Sequence, residues 1–213
     1  MDAEQDRDHL RVATFSVPET WHQLDRTLRA CVPAYAAQAG HVVTRLGRRG
    51  PGPTEERVVA SVWSSRRAHD AATDIVELVT AHGSGATTVA SSRIDVLPVR
   101  LYEVFERERP MTILRVFRGR IYPGQLEAYL EEAREGTRID GGRPEGPGML
   151  VCGSDGQAAF VTVSLWPDWS AIEACTGGNI QRPLTTRNAA RIEQGAPTHF
   201  EILPSVEPAS DLD

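Results

Sequence analysis

The segment Val161–Ile202, VTVSLWPDWSAIEACTGGNIQRPLTTRNAARIEQGAPTHFEI, decides how the chain is read. An apolar run ends at Trp166, and Pro167-Asp168 forms a helix-start turn before a short helix over Trp169 to Cys175. Gly177-Gly178 breaks that helix, Arg182-Pro183 makes a turn, and a last strand is expected at Thr198 to Leu203. The stretch VVASVWSSRRAHDAA passes from strand to helix through Trp63 in the same way. One small fold written twice is the expectation.

The chain in order supports it. The first strand is expected at Leu10 to Val17. A helix follows, with a capping-box spacing at Ser16 and Glu19, Pro18 in its first turn, and an apolar face of Trp21, Leu24, Leu28 and Cys31 that Pro33 should kink or break. Strands at His41 to Leu46 and Arg57 to Trp63 flank a polar loop from Gly47. Ser64 or Ser65 then caps a helix bearing Ala68, Ala72, Ile75 and Val79, which Gly83 ends, and a strand at Val99 to Phe105 closes the half. After the charged link from Glu106 the order repeats. It runs through ILRVFRGRI from Ile113, a turn at Pro123-Gly124, a helix with Leu126, Tyr129, Leu130 and Ala133 on one side, and a loop over GTRIDGGRPEGPG. A hairpin follows, with strands at Met149 to Cys152 and Ala158 to Leu165 around Asp155-Gly156.

Ile113 stands 103 residues after Leu10, and Trp166 stands 103 after Trp63. Two β-α-β-β-α-β units in tandem are therefore expected, residues 10–106 and 112–204, with tails at 1–9 and 205–213. This is an α+β, ferredoxin-like chain whose two sheets would meet face to face in a barrel-like centre.

Composition removes whole classes of function. The net charge is −6 with no block of one sign, so no nucleic-acid partner is expected. All 23 basic residues are arginine, which excludes lysine Schiff-base and P-loop lysine chemistry. Three cysteines, Cys31, Cys152 and Cys175, make neither a C-x-x-C pair nor an even set, and read as buried thiols. The six histidines show no H-x-x-x-H or H-x-E pairing, so no metal site is expected. The polar start MDAEQDRDHL and the lack of a long apolar run point to a cytoplasmic chain without a membrane partner.

At Trp166, TGGNIQRP from Thr176 and HFEI from His199, the second half resembles the antibiotic biosynthesis monooxygenase group of the dimeric α/β-barrel superfamily. The first half resembles it in order and at Trp63, but has AHGSGATTVASS in place of the turn segment and Leu101 in place of the histidine. The resemblance implies sheets paired back to back, in a homodimer or within a monomer acting as a pseudo-dimer. It also implies oxidation of a small phenolic or quinol-type aromatic by molecular oxygen without metal or flavin. A non-catalytic small-ligand-binding or interaction module with the same fold is the main alternative, and relatives that bind and degrade haem supply a third reading.

An oxygenation of that kind needs an apolar pocket, a cation for the substrate anion and a proton acceptor. Trp63, Trp166, Trp169, Phe160 and Tyr129 are the candidate walls; Arg118, Arg120 or Arg182 the candidate cation; His199 the base; Asn179 and Arg182 further contacts. Each also has a structural reading: the tryptophans pack between strand and helix, Arg118 and Arg120 pair with Glu127 or Glu131, and Asn179 and Arg182 shape their turn. For haem, Trp63 with His69 or His82 is the candidate pair, although neither first strand holds an asparagine.

Overall fold

The computed structural model describes residues 8–16, 21–49, 56–82, 90–183 and 190–203, without the side chains of 16, 21–23 and 90–92. The elements are β1 (His9–Ser16), α1 (Trp21–Ala36), β2 (His41–Arg49), β3 (Glu56–Trp63), α2 (Arg66–Ala71), α3 (Ile75–His82) and β4 (Ala90–Val104). They continue with β5 (Ile113–Ile121), α4 (Leu126–Gly141), β6 (Met149–Ser154), β7 (Ala159–Trp166), α5 (Trp169–Thr176) and β8 (Ile192–Ile202). The β-α-β-β-α-β order occurs twice, its second helix split in the first half. The Ser16–Glu19 capping box, Pro18, the Trp21 side chain and Gly83 lie outside what is described.

Contacts divide the chain into two units, one reaching Val96 and including Leu203, the other spanning Leu97–Ile202. The division falls inside β4. In the first unit β1 and β2 flank β3, all antiparallel. On their helical side, Leu24, Leu28, Cys31 and Tyr35 of α1 pack with Trp63, Ile75, Val79 and Leu203. In the second unit the order is β8-β5-β7-β6, and Val99 to Val104 of β4 add to β6. Here α4 covers the sheet with Leu126, Tyr129, Leu130 and Ala133, the face expected of it. The opposite faces are buried too, at Leu10, Val12, Val58 and Val62 in one unit and at Leu114, Val116, Val163 and Phe200 in the other.

Three local expectations are corrected. Helix α1 runs through Pro33 to Ala36, because Pro33 lies on the exposed side, where water can take the carbonyl that its missing N–H leaves unbonded. The expected single helix after Ser65 is two. Ser65 does cap α2, its hydroxyl accepting from Ala68 N–H at 3.1 Å. Gln38 then holds Thr73 at both its N–H (2.6 Å) and its carbonyl (3.0 Å), and Asp74 starts α3 by accepting from Val76 N–H at 2.7 Å. The glycine-rich stretch expected as a loop begins as helix: α4 continues through Gly136 to Gly141, where the absent side chain leaves room for the Phe105 ring, 2.2 Å from where a Cβ would stand. The charged link is fastened to this end by Arg107, whose guanidinium donates to the carbonyls of Gly141, Arg143 and Pro147. Strands β2, β4 and β8 are all longer than expected.

Candidate ligand site in the second unit

Register determines which side chains share the helical face of the second sheet, because directly opposed residues point the same way and neighbours along a strand alternate. One row reads His199, Arg115, Ser164, Leu150, and the next Pro197, Phe117, Thr162, Cys152. A third sets Gly195 and Gly119 beside Phe160 and Ser154.

An open cavity lies between these rows and α4. Arg115, Phe117, Leu150, Cys152 and Thr162 line it from the sheet and Tyr129, Ala133, Thr137 and Asp140 from α4, with Pro147, Pro183 and Ile192 beside them. Phe117 and Phe160 stack at 5.6 Å, and Tyr129 closes on Phe160 at 4.9 Å. The glycines permit this stack, since a Cβ on Gly195 would stand 2.6 Å from the Phe117 ring and one on Gly119 2.7 Å from Phe160.

Arg115 is the cation of the cavity. It is 1% exposed; its Nη2 donates to the Arg182 carbonyl, its guanidinium lies 5.5 Å from the Phe117 ring centre, and its Nε has no hydrogen-bond partner. No carboxylate pairs with it among the described residues. Burial lowers its pKa to about 10, with Tyr129 acting in the opposite sense. Burial likewise pushes the Tyr129 phenol well above its usual range, against a hydrogen bond with Thr162, and raises the Cys152 thiol to about 11. Asp140, also raised by burial, forms an ion pair with Arg143 at 3.3 Å.

Of the residues singled out from sequence, Tyr129 lines the cavity, Phe160 packs against it and Phe117 without lining the cavity itself, and Arg182 contributes its backbone carbonyl while its side chain is exposed. Arg118 and Arg120 do not: they alternate with Arg115 and Phe117 onto the opposite face, Arg120 exposed and 3.9 Å from Glu193. Trp166 is fully buried beside Ile113, Ala171 and Ile172, and donates its indole N–H to Ser164 at 2.9 Å. His199 sits in the Arg115 row, half-buried, its ring 5.2 Å from the half-exposed Trp169. Asn179 accepts from Gln181 N–H in its own turn. Trp63 lies in the core of the first unit.

Sequence reasoning missed Arg115 and Asp140. The β5 run ILRVFRGRI is buried on both faces, so no polar alternation separates Arg115 from Arg118. Asp140 falls in the stretch expected to be a loop.

The described lining of this cavity holds no histidine to ligate a haem iron. In the first unit the His69 ring stands edge-on to Trp63 at 6.0 Å and its Nδ1 bonds Asp70, while His82 bonds the Leu78 carbonyl of its own helix. Among the described residues no three His, Cys, Asp or Glu gather as metal ligands, and no helix is long and apolar enough to cross a membrane.

No family model and no curated protein matches the chain. Solved structures do. A protein of Fusobacterium nucleatum provisionally named a monooxygenase is 10% identical with a TM-score of 0.68, and 93% of each chain is covered. A chlorite dismutase variant from Candidatus Nitrospira defluvii is 9% identical at 0.64, over 92% of this chain and 91% of that one. A ferredoxin-fold protein of Listeria monocytogenes related to antibiotic biosynthesis monooxygenases is 7% identical at 0.54, over 95% and 99%. The chain thus has the α+β, ferredoxin-like fold that these proteins share. Their differing names show that the fold alone does not select a reaction.

Proposed function

We propose that the chain is a cofactor-independent monooxygenase of small phenolic aromatics, working in the cavity of the second unit. One observation carries this reading: a buried guanidinium, without a carboxylate partner among the described residues, stands at the wall of a cavity lined mainly by aromatic, aliphatic and hydroxyl groups, with Asp140 the one carboxylate and Cys152 the one thiol of the described lining. Phe117 and Tyr129 take the substrate rings, and Arg115 stabilises the oxyanion left when the phenol loses its proton. Asp140 accepts that proton, with His199, in the Arg115 row, the second candidate. The anion then gives one electron to oxygen. The resulting radical and superoxide join in a C–O bond, and the hydroperoxide loses water to leave a carbonyl, so one oxygen atom enters the product and the other leaves as water.

The test is oxygen uptake by metal-free, flavin-free protein with anthrones, naphthols and quinols. Uptake above autoxidation, with one O₂ consumed per quinone formed, supports the reaction. Saturable binding without uptake would move the assignment to a non-catalytic ligand-binding module.

A further inference from the structure

The two units hold the same buried arginine in different electrostatic settings. Arg11 and Arg115 are each 1% exposed, and each faces a serine across an antiparallel ladder, Ser61 in one unit and Ser164 in the other. Each serine accepts the N–H of a tryptophan two residues on, Trp63 at 3.1 Å and Trp166 at 2.9 Å. The segments following the next helix then differ. After α2, Asp74 brings a carboxylate whose Oδ2 accepts from Arg11 Nη2 at 2.5 Å. After α5, the described residues bring Arg115 the carbonyl of Arg182 and no carboxylate.

Both guanidiniums keep buried nitrogens without hydrogen-bond partners, Nε and Nη1 on Arg11 and Nε on Arg115, so what separates them is the counter-charge. A carbonyl and the Phe117 ring are partial charges, and neither neutralises a cation withdrawn from water. Asp140, the carboxylate at the cavity, has Arg143 as its ion-pair partner.

We infer that Asp74 stands in the first unit where the second receives its ligand's charged group. The molecule bound at Arg115 is an aromatic oxyanion, a carboxylate or ionised phenol on a flat ring, taken once per chain. A planar two-oxygen or single-oxygen anion suits a guanidinium with a free donor edge, and the ring suits Phe117 and Tyr129. The inference rests on the cavity being the substrate site and adds the charge that the substrate carries there.

The test is calorimetric titration of the full chain with 1-naphthoate and, on the same rings, neutral 1-naphthamide. One naphthoate per chain is expected, with the amide at least about ten-fold weaker. Arg115→Gln should remove that preference, and Arg118→Gln, on the opposite face, should keep it. Equal affinity for acid and amide, no saturable naphthoate binding, or two naphthoates per chain would overturn the inference. The acid and amide are compared on the unaltered protein, so the result stands even if Arg115→Gln fails to fold. Naphthoate has no phenolic proton to lose, so the two readings fail separately. Oxygen uptake without acid selectivity overturns the inference, because the substrate then binds neutral and gains its charge only in turnover, while selectivity without uptake leaves an anion-binding site without the oxygenase.

Discussion

Arg115 on β5 lies directly across the ladder from Ser164 on β7, whose hydroxyl is committed to the Trp166 indole. The serine therefore fixes the tryptophan beneath the site and leaves the guanidinium turned to the cavity. Trp166, singled out from sequence as a candidate wall, is packed in the core beside Ile113, Ala171 and Ile172. Trp166→Ala should cost about 3–5 kcal/mol of stability and Ser164→Ala about 1–3 kcal/mol, the latter by orphaning a buried N–H. Urea denaturation measures both; loss of turnover at unchanged stability would instead place Trp166 in the chemistry.

Asp74→Asn leaves Arg11 buried without its counter-ion. Removing one partner of a buried pair costs roughly 3–5 kcal/mol, and the one-third exposure of the Asp74 side chain brings the expectation to about 2–3 kcal/mol. Formate or acetate should restore part of the lost melting temperature while chloride at equal ionic strength does not. Equal effects of all three salts would mean that Arg11 is indifferent to a carboxylate.

Gly119→Ala should reshape the cavity without touching its polar groups. The new methyl would stand 2.7 Å from both the Phe160 ring and the Gln194 carbonyl, and the backbone cannot withdraw as a flexible side chain could. Overpacking of this kind costs about 1–3 kcal/mol, and displacing Phe160 disturbs its stack with Phe117. Weaker ligand binding together with lower stability is expected, and unchanged binding would show that the stack does not shape the site.

Much of this architecture was legible in the sequence because helix faces and tight turns leave local signals. The Leu126, Tyr129, Leu130, Ala133 face, the Asp155-Gly156 hairpin, with Asp155 accepting from Gln157 and Ala158 N–H, and the Asp168 cap of α5 all lie where their patterns put them. The site itself was less legible. A strand buried on both faces has no apolar-polar alternation, so Arg115 and Arg118 look alike until register separates them. Gly136 and Gly141 suggest a loop, yet tertiary packing of Thr137 and Asp140 carries α4 past the first and onto the second, bringing two cavity residues with it. The break before α3 depends on Gln38, more than thirty residues away, and no local window could show it.

The buried thiols set an alkaline limit on stability. Cys152 and Cys175 are raised to about 11 by burial, whereas an unfolded thiol titrates near 8.5. Between those values the unfolded chain releases protons that the folded chain retains, so stability is full below about pH 8.5 and falls as pH rises. Arg115, lowered to about 10, acts in the opposite direction but only above that pH. Urea midpoints should decline from pH 8 to 10, and less so in Cys152→Ala; a flat profile would contradict the burial of these groups.

If Asp140 is the proton acceptor, it works as the carboxylate, and turnover rises with pH through its pKa. Burial lifts that pKa, so the acid limb should stand above the usual carboxylate range near 4 and disappear in Asp140→Asn. An acid limb that survives in Asp140→Asn and is lost in His199→Ala would assign the proton to the histidine.

The most direct test of the central claim is oxygen uptake with a naphthol or anthrone by the unaltered chain, Arg115→Gln and Arg118→Gln, each at matched folded concentration. A site built on Arg115 predicts uptake that falls by about 100-fold or more when the oxyanion's cation is lost and is kept when Arg118 is changed. Equal activity in the Arg115 variant, or loss confined to Arg118→Gln, would place the chemistry on the other face of the sheet and contradict the account.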